Sequence, residues 1–448
     1  MTKEIQQETI RGIALRAKAL GGRAMLVGGC VRDALTGRES ADIDCEIYGL
    51  APQALRSLAA EFGEVDESGA RYGIFSLKGA GIDLAVPRLE RRTGPKHGDF
   101  DVRLDPALPF ARAAARRDFT VNAILRDALT GEIVDPFGGQ ADLCRGVLRA
   151  VPGDGFAEDP LRVLRGAQFA ARFRLSPDAK TLEKMRMMKT GALSPARVLG
   201  EMKKAMASDA PDVFFDVLRR TDALKPWFGE LAALIGVPQP PRYHPEGDAY
   251  THSMLVLHAA AQKKARALRP EAFVFAALTH DLGKAVSTAR SEDGEWHACG
   301  HENTGVPLTR AMLGRLGVNR EIIAYCENMC RLHMRAHVCH YRQAETGETN
   351  LLFDESVCPN DLALLAVCDT LGKGSASGGA ADEEAFLTWR VRVYEETAAR
   401  GLPDGGMLLA AGMEPGPQLA EALAAARRRA LTGETAEEAV QNVLRKRQ

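Results

Sequence analysis

The 448-residue chain has no apolar run of membrane-spanning length, which excludes a transmembrane helix. It has no surplus of either charge. The 58 basic and 59 acidic residues give a net charge of −1. A uniformly basic coat is therefore excluded, and any nucleic-acid contact must use local patches. Cysteines at C-x-x-C spacing are missing. Nine scattered cysteines, an odd number, argue for free thiols in a reducing cytoplasm. There is no internal repeat. With 46% apolar and 26% charged residues, disordered, collagen-like and coiled-coil compositions are out. The first 24 residues alternate charged and apolar side chains (Lys3, Glu4, Arg11, Arg16, Lys18) and predict an amphipathic helix, not a signal peptide. At roughly 150 residues per domain, the length suggests about three domains.

What is present is unevenly distributed. Between residues 23 and 150, β-rich runs alternate with helical stretches. Strands are expected at Ala24–Val27, Ile43–Tyr48, Ile74–Leu77, Ile82–Val86 and Val121–Arg126. From about Ala157 strand signals stop and amphipathic helices follow. Val237–Pro245 reads as a Pro-rich linker, and Gly372–Glu383 as a flexible polar segment. Nine of ten histidines fall between His244 and His340, and only His97 lies outside. Residues 145–204 carry 13 basic and 6 acidic side chains, a one-sided surplus that suits RNA backbone contact. Cys326 and Cys330, four residues apart, are expected as buried thiols rather than a metal clip.

The first chemical constellation begins where Leu26-Val27-Gly28-Gly29-Cys30-Val31-Arg32-Asp33 ends a strand on two glycines and opens a helix. Glycines let a backbone approach a ligand closely. Asp42-Ile43-Asp44 follows within a β-like run. Residues i and i+2 of a strand share a face, so both carboxylates can reach one Mg²⁺, which favours sparse carboxylate ligation completed by substrate phosphates and water. Arg116-Arg117-Asp118-Phe119-Thr120-Val121-Asn122-Ala123 and Glu158-Asp159-Pro160-Leu161-Arg162-Val163-Leu164-Arg165 add cations. Asp159, Arg162 and Arg165 are spaced to share one helical face, and Asp159-Pro160 also suits a helix start. Asp83, in a neighbouring strand-like run, is a weaker candidate for a third carboxylate.

These segments, with Ser194–Glu201 (SPARVLGE), resemble the successive motifs of the class II tRNA nucleotidyltransferase and bacterial poly(A) polymerase family. The resemblance implies an α+β polymerase-β-like nucleotidyltransferase head over 1–150, then an all-α neck over 151–237 for base recognition and RNA binding. It implies Mg²⁺ on Asp42 and Asp44, contacts to the nucleoside triphosphate from Gly29, Arg32, Arg117 and Arg165, and base reading by Asp159 with Arg162. A carboxylate accepts from the amino group of C or A and repels the carbonyl of U or G, while a guanidinium donates to a ring acceptor. The implied activity is template-independent addition of CCA to tRNA 3′ ends from CTP and ATP. The polar stretch Arg88–Asp105 (with Glu90, Arg91 and Arg92) resembles the family's flexible loop, which favours complete addition over a C-only enzyme.

The second constellation is His252 on an apolar helix, His280-Asp281 closing another, and Asp369 closing a third. Imidazoles and carboxylates in this order can hold a divalent transition metal. The order H…HD…D, and Thr279-His280-Asp281-Leu282-Gly283-Lys284 in particular, resembles the HD metal-dependent phosphohydrolase superfamily. His301 and His333 extend the pattern to that of two-metal HD enzymes. His244, His258, His297, His337 and His340 are expected as ordinary surface or core histidines. The HD region is expected over 238–371, with a helical tail over 372–448. Two alternatives stay open: a poly(A) polymerase or an A-only or CC-only enzyme, and an HD phosphohydrolase whose head is an inactive RNA-binding module. The oligomeric state is not specified by the sequence.

Overall fold

The structure is a computed structural model that describes residues 2–40, 42–92, 100–374 and 378–446. His97 and the middle of the expected flexible loop, 93–99, lie outside the described residues, as do 375–377 of the expected polar segment. The chain divides into two compact units, Met1–Ala192 with Arg220–Ala223, and Leu193–Arg219 with Leu224–Gln448.

The first unit contains strands β1 (Arg23–Val27), β2 (Ile43–Tyr48), β3 (Val65–Asp66), β4 (Ile74–Leu77), β5 (Ile82–Ala85), β6 (Arg88–Arg92), β7 (Phe100–Leu104), β8 (Leu125–Asp127) and β9 (Ile133–Val134). Seven of them form one sheet in the order β3-β4-β5-β2-β1-β8-β9, and β6 pairs with β7 separately. Within the sheet β2 and β5 run parallel and the other neighbours antiparallel. The alternation of β2 decides what its faces do. Cys45 and Ile47 are buried in a core with Ile13 and Ala17 of helix Lys3–Ala19 and with Leu55 and Leu58 of helix Pro52–Ala60. Asp44, Glu46 and Tyr48 therefore project from the opposite face. Burying a Leu or Ile side chain stabilises by roughly 1.5–3 kcal/mol, so this apolar face fixes the register that presents the acidic one.

The expected strand Val121–Arg126 is instead a 3₁₀ turn, Thr120–Asn122, followed by β8. Polar tertiary bonds override β-propensity here. Asn122 donates to Asp118 and accepts from Arg32, and Thr120 donates to Asp142. Strand structure also does not stop at Ala157. Val147–Leu148 pairs with Ser176–Pro177, and Ala289–Arg290 with Trp296–His297.

The second unit is built from helices, with only that short Ala289–His297 ribbon among its described strands. Its central helix, Pro270–Thr279, is buried from Ala272 to Thr279, as an all-round apolar sequence requires. It ends by delivering His280 and Asp281 into the interior. Helices Ala249–Lys263, His301–Leu316, Arg320–Tyr341 and Pro359–Gly372 surround it. The expected linker and polar segment are more structured than their composition suggests. Gln239 is buried and accepts from Lys284, and Glu383 is buried on helix Ala380–Ala399. Cys326 and Cys330 are buried, and all nine cysteines are free thiols.

Gly283 allows the segment after Asp281 to touch the helix bearing His301. A Cβ there would lie 2.0 Å from the His301 carbonyl oxygen and 2.7 Å from Gly305 N. Gly283→Ala is expected to destabilise the helical unit by about 1–3 kcal/mol, read as a lower denaturant midpoint of its unfolding step.

Candidate active sites

In the first unit, β1 ends at Val27 and the chain turns at Gly28, whose φ is 73°. A Cβ on Gly28 would lie 2.8 Å from Arg117 Nη1 and 3.5 Å from Asp44 Oδ2. Glycine thus lets backbone, cation and carboxylate share one corner. Asp42 lies just before β2, two residues from Asp44, and Asp83 is the direct partner of Asp44 across the parallel β2–β5 pair. Burial pushes the Asp44 carboxyl up, Asp83 and Asp42 add to the rise, and Arg117 opposes it. Asp83 and Asp42 thus lie near enough to act on Asp44 beside Arg117. The neighbourhood of Asp83 is stronger than its sequence context suggested.

Arg117 is held from below by Glu46. Arg116 Nη2 and Arg117 Nη2 donate to Glu46 Oε1 at 2.7 and 3.2 Å, and Tyr48 donates to Oε2 at 3.0 Å. Burial alone would raise the Glu46 carboxyl, but Arg117 and Arg116 outweigh it and hold it below the usual range.

Four expected nucleotide contacts have protein partners in this structure. Arg32 is buried, donating to Asp33 at 2.8 and 2.6 Å and to Asn122 at 2.6 Å, with Phe173 stacked 4.0 Å from its Cζ. Its guanidinium pins the segment after the Gly28-Gly29 turn to the core rather than facing an open cleft. Arg165 donates to Asp118 at 2.7 Å. Arg162 turns inward to the carbonyls of Gly155 and Arg116, each at 2.6 Å. Asp159 accepts from Leu161 N at 3.0 Å, the bond expected of a residue at a helix start. A free amide at the start of helix Leu161–Phe173 takes Asp159, and carbonyls of the preceding turn and of Arg116 take Arg162. Through the Arg116 carbonyl, Arg162 remains tied to the segment carrying Arg117. The structure therefore brings Gly28, Asp44 and Arg117 together, with Asp83 paired to Asp44 and Asp42 two residues away, while a Cβ on Gly29 would face Arg32 Nη2 at 3.7 Å. Arg32, Arg162 and Arg165 bond Asn122, the Gly155 carbonyl and Asp118 in this structure.

In the second unit, the six predicted residues converge. His252, His280 and Asp369 form one group of facing ligand atoms, and Asp281, His301 and His333 form another. Asp281 stands between them. Its Oδ2 is 3.5 Å from His252 Nε2 and 3.2 Å from His280 Nε2, and its Oδ1 is 3.1 Å from His301 Nε2 and 3.6 Å from His333 Nε2. Each ring is anchored through its other nitrogen. His280, His301 and His333 donate from Nδ1 to the carbonyls of Ala277, Ala298 and Cys330, and His252 to Glu246. That anchoring aims each Nε2 inward, as a metal's outer shell does.

The arrangement fits divalent cations on its own evidence. His252 Nε2, His280 Nε2 and both Asp281 oxygens are buried without a well-directed hydrogen bond, although Asp369 Oδ1 lies 3.0 Å from His252 Nε2 and an ammonium lies 2.7 Å from Asp281 Oδ2. His301 Nε2 and His333 Nε2 lie 3.2 Å apart, both aimed at Asp281 Oδ1. Buried polar atoms left so cost free energy that a bound cation would return.

Sequence reasoning missed several groups around these ligands. Lys284 lies 2.7 Å from Asp281 Oδ2 and donates to Gln239. Its i, i+3 spacing from Asp281 was the available signal. Glu246 joins His244 and His252 by accepting from both Nδ1 atoms at 2.8 and 2.7 Å. His337, expected as ordinary, pairs with Asp369 Oδ2 at 2.7 Å and donates to Glu383 at 2.7 Å. It sits four residues after His333, on the same helical face.

A nucleotidyltransferase-type head with paired strand carboxylates, joined to a helical unit with a histidine–aspartate centre, is the class that fold and sites define. Residues 24–149 match the poly A polymerase head domain family, 174–235 the family described as the probable RNA and SrmB-binding site of polymerase A, and 249–371 the HD domain. The multifunctional CCA protein of Nitrosococcus oceani is 41% identical over 318 residues, 70% of this chain and 74% of its own length. That of Xanthomonas campestris pv. campestris is 36% identical over 415 residues, 90% of this chain and 96% of its own. The chain belongs to the multifunctional CCA protein family, the CCA-adding nucleotidyltransferases that carry an HD domain. Its fold also resembles that of the Thermotoga maritima CCA-adding enzyme complexed with tRNA_CCA, at a TM-score of 0.62, 18% identity, and coverage of 100% of this chain and 97% of that one. The Bacillus stearothermophilus CCA-adding enzyme in complex with CTP gives 0.63, 20%, 100% and 98%. At these identities the likeness is one of fold.

The histidines make stability depend on pH. Burial, with Lys284 and His252, pushes His244 down to about 4, and burial pushes His333 down to about 4. Both bind protons more readily when unfolded, so the stability of the metal-free unit falls as pH drops from about 6.5 towards 4. His337 is raised to about 9, because Asp369 and Glu383 outweigh its burial. Its contribution is complete below about 6.5 and is lost as pH rises through 9. Metal-free protein is therefore expected to be most stable near pH 6.5, and His337→Gln to flatten the alkaline fall, as measured by thermal unfolding across pH.

Proposed function

We propose that the first unit adds CCA to tRNA 3′ ends from CTP and ATP, and that the second hydrolyses phosphate esters. The observation that carries the first reading is the shared corner of Gly28, Asp44, Asp83 and Arg117 in a chain whose relatives are named for CCA. Those names also favour CCA addition over poly(A) synthesis, and the intact carboxylates argue against an inactive head.

In this reading the tRNA 3′ hydroxyl attacks the nucleotide α-phosphate and pyrophosphate leaves. A magnesium ion on Asp42 and Asp44 would lower the hydroxyl's pKa and neutralise developing charge. The Gly28-Gly29 turn leaves room for the triphosphate, and Arg117 offers Nη1 to it while Glu46 holds Nη2. Arg32 keeps that turn in place from the core side. For base reading, Asp159 and Arg162 must exchange their present bonds for bonds to the nucleobase. The basic surplus over 145–204 suits contact with the tRNA backbone.

In the second unit, His252, His280 and Asp369 would hold one divalent transition metal and His301 with His333 a second, with Asp281 between them. Two such ions supply a clamp for the oxygens of a phosphate ester. Glu246, His337 and the backbone carbonyls orient the ligands, and Lys284 adds a positive charge beside Asp281. A division into head (1–150), neck (151–237), HD domain (238–371) and tail (372–448) follows from this reading. So does a cytoplasmic location, which suits the free thiols; among the described residues no helix is long and apolar enough to cross a membrane.

Incubation with tRNA lacking its 3′ end, with CTP and ATP separately and together, tests the assignment. CCA addition supports it, long A tracts indicate a poly(A) polymerase, and no addition rejects an active head. Asp42→Ala is expected to lower addition by about 10³-fold and leave phosphatase activity unchanged. Asp281→Ala should do the reverse, with loss of bound metal by elemental analysis. Loss of both activities in both variants would sink the two-site reading.

A further inference from the structure

β2 carries a further acid on the face of Asp44. Glu46 lies two residues beyond Asp44, and two-residue spacing keeps it on that side. Unlike the aspartates it is buried, and it gives one oxygen to both Arg116 and Arg117 and the other to Tyr48. Arg117 therefore has two acids within reach. Its Nη2 bonds Glu46, while its Nη1 lies against Gly28, the residue whose added Cβ would also meet Asp44 Oδ2 at 3.5 Å. Among the described residues Arg117 has its ion pair with Glu46 and none with Asp44.

We propose that Glu46 is a positioning residue that captures Arg117 and so keeps Asp44 free for its metal. The proposal rests on the nucleotidyl transfer assigned above. An arginine and a carboxylate at this separation attract strongly in a partly enclosed site. Without a competing anion, the guanidinium would close on Asp44 and occupy the oxygen a magnesium ion needs. Glu46 prevents this by offering a deeper, fully negative acceptor. Arg116 shares that acceptor without displacing Arg117, because the two donors approach the same oxygen. Tyr48 fixes the far oxygen and so the direction of the carboxylate. The result is an Arg117 whose remaining nitrogen faces the cleft, available to a triphosphate, and an Asp44 not neutralised by protein.

The test uses the full-length protein with Glu46→Gln, which keeps shape and removes charge, and Tyr48→Phe, which removes only the far hydrogen bond. Addition of CMP to tRNA lacking CCA is measured against Mg²⁺ concentration at fixed CTP, and against CTP at fixed Mg²⁺. Glu46→Gln is expected to raise the Mg²⁺ needed for half-maximal rate about tenfold, with most of the wild-type rate regained at high Mg²⁺. Tyr48→Phe should shift it in the same direction by about threefold. A metal-free crystal structure of Glu46→Gln should show the Arg117 guanidinium on the Asp44 carboxylate at about 3 Å. A merely structural role for Glu46 would lower the rate without moving the Mg²⁺ dependence, and that result overturns the proposal. So does an Arg117 that stays on residue 46 in the variant structure. If Glu46→Gln does not fold, an unchanged Mg²⁺ dependence in Tyr48→Phe overturns it. If the wild type adds no nucleotide, the polymerase reading fails, and the crystallographic comparison still decides where Arg117 goes.

Discussion

A carboxylate taken out of water must be given countercharge or donors, because leaving it alone costs several kcal/mol. Both units are organised around that constraint and meet it in opposite ways. Glu46 is compensated completely by two guanidinium groups and a phenol. It is therefore a fixed element of scaffold. Asp281 is equally buried, but its neighbours are imidazoles and one ammonium, and its oxygens lack well-directed hydrogen bonds. Burial alone would raise its carboxyl, yet His280 and Lys284 hold it well below the usual range. It stays charged, which is the condition for bridging cations.

The two sites are made by different local devices. In the head, strand alternation places acids on one face because Cys45 and Ile47 are needed on the other. In the helical unit, ligands come from the ends and inward faces of separate helices, and packing of Pro270–Thr279 at the centre brings them together. Phe273, Phe275 and Leu278 of that helix are fully buried, so His280 and Asp281 close an apolar segment deep in the unit.

Much of this was legible in the sequence. Asp42 and Asp44 could be placed because period-two alternation needs only local information. His280-Asp281 stood out because a polar pair closes an otherwise apolar helix. What spacing did not show shares a cause. Arg32, Arg162 and Arg165 are cations whose partners lie far away in the chain or in loop backbone, so spacing could not show that Asn122, Gly155 and Asp118 would claim them. Gln239 and Glu383 lie in segments whose composition resembles linkers, yet tertiary contacts bury both. His337 and Glu46 were within reach of periodicity, one helical turn and one strand repeat from residues already singled out.

Glu383 lies twelve residues beyond 371, where the HD family match ends, yet it accepts from His337 Nδ1 while His337 Nε2 pairs with Asp369. Its other oxygen accepts from Thr370 at 2.5 Å. The boundary at which sequence likeness fades is therefore not the edge of the cooperative folding unit. A fragment cut at 371 would keep every inner ligand and lose the brace that orients one of them. Any excised version of this histidine–aspartate centre must carry the first turn of helix Ala380–Ala399 with it.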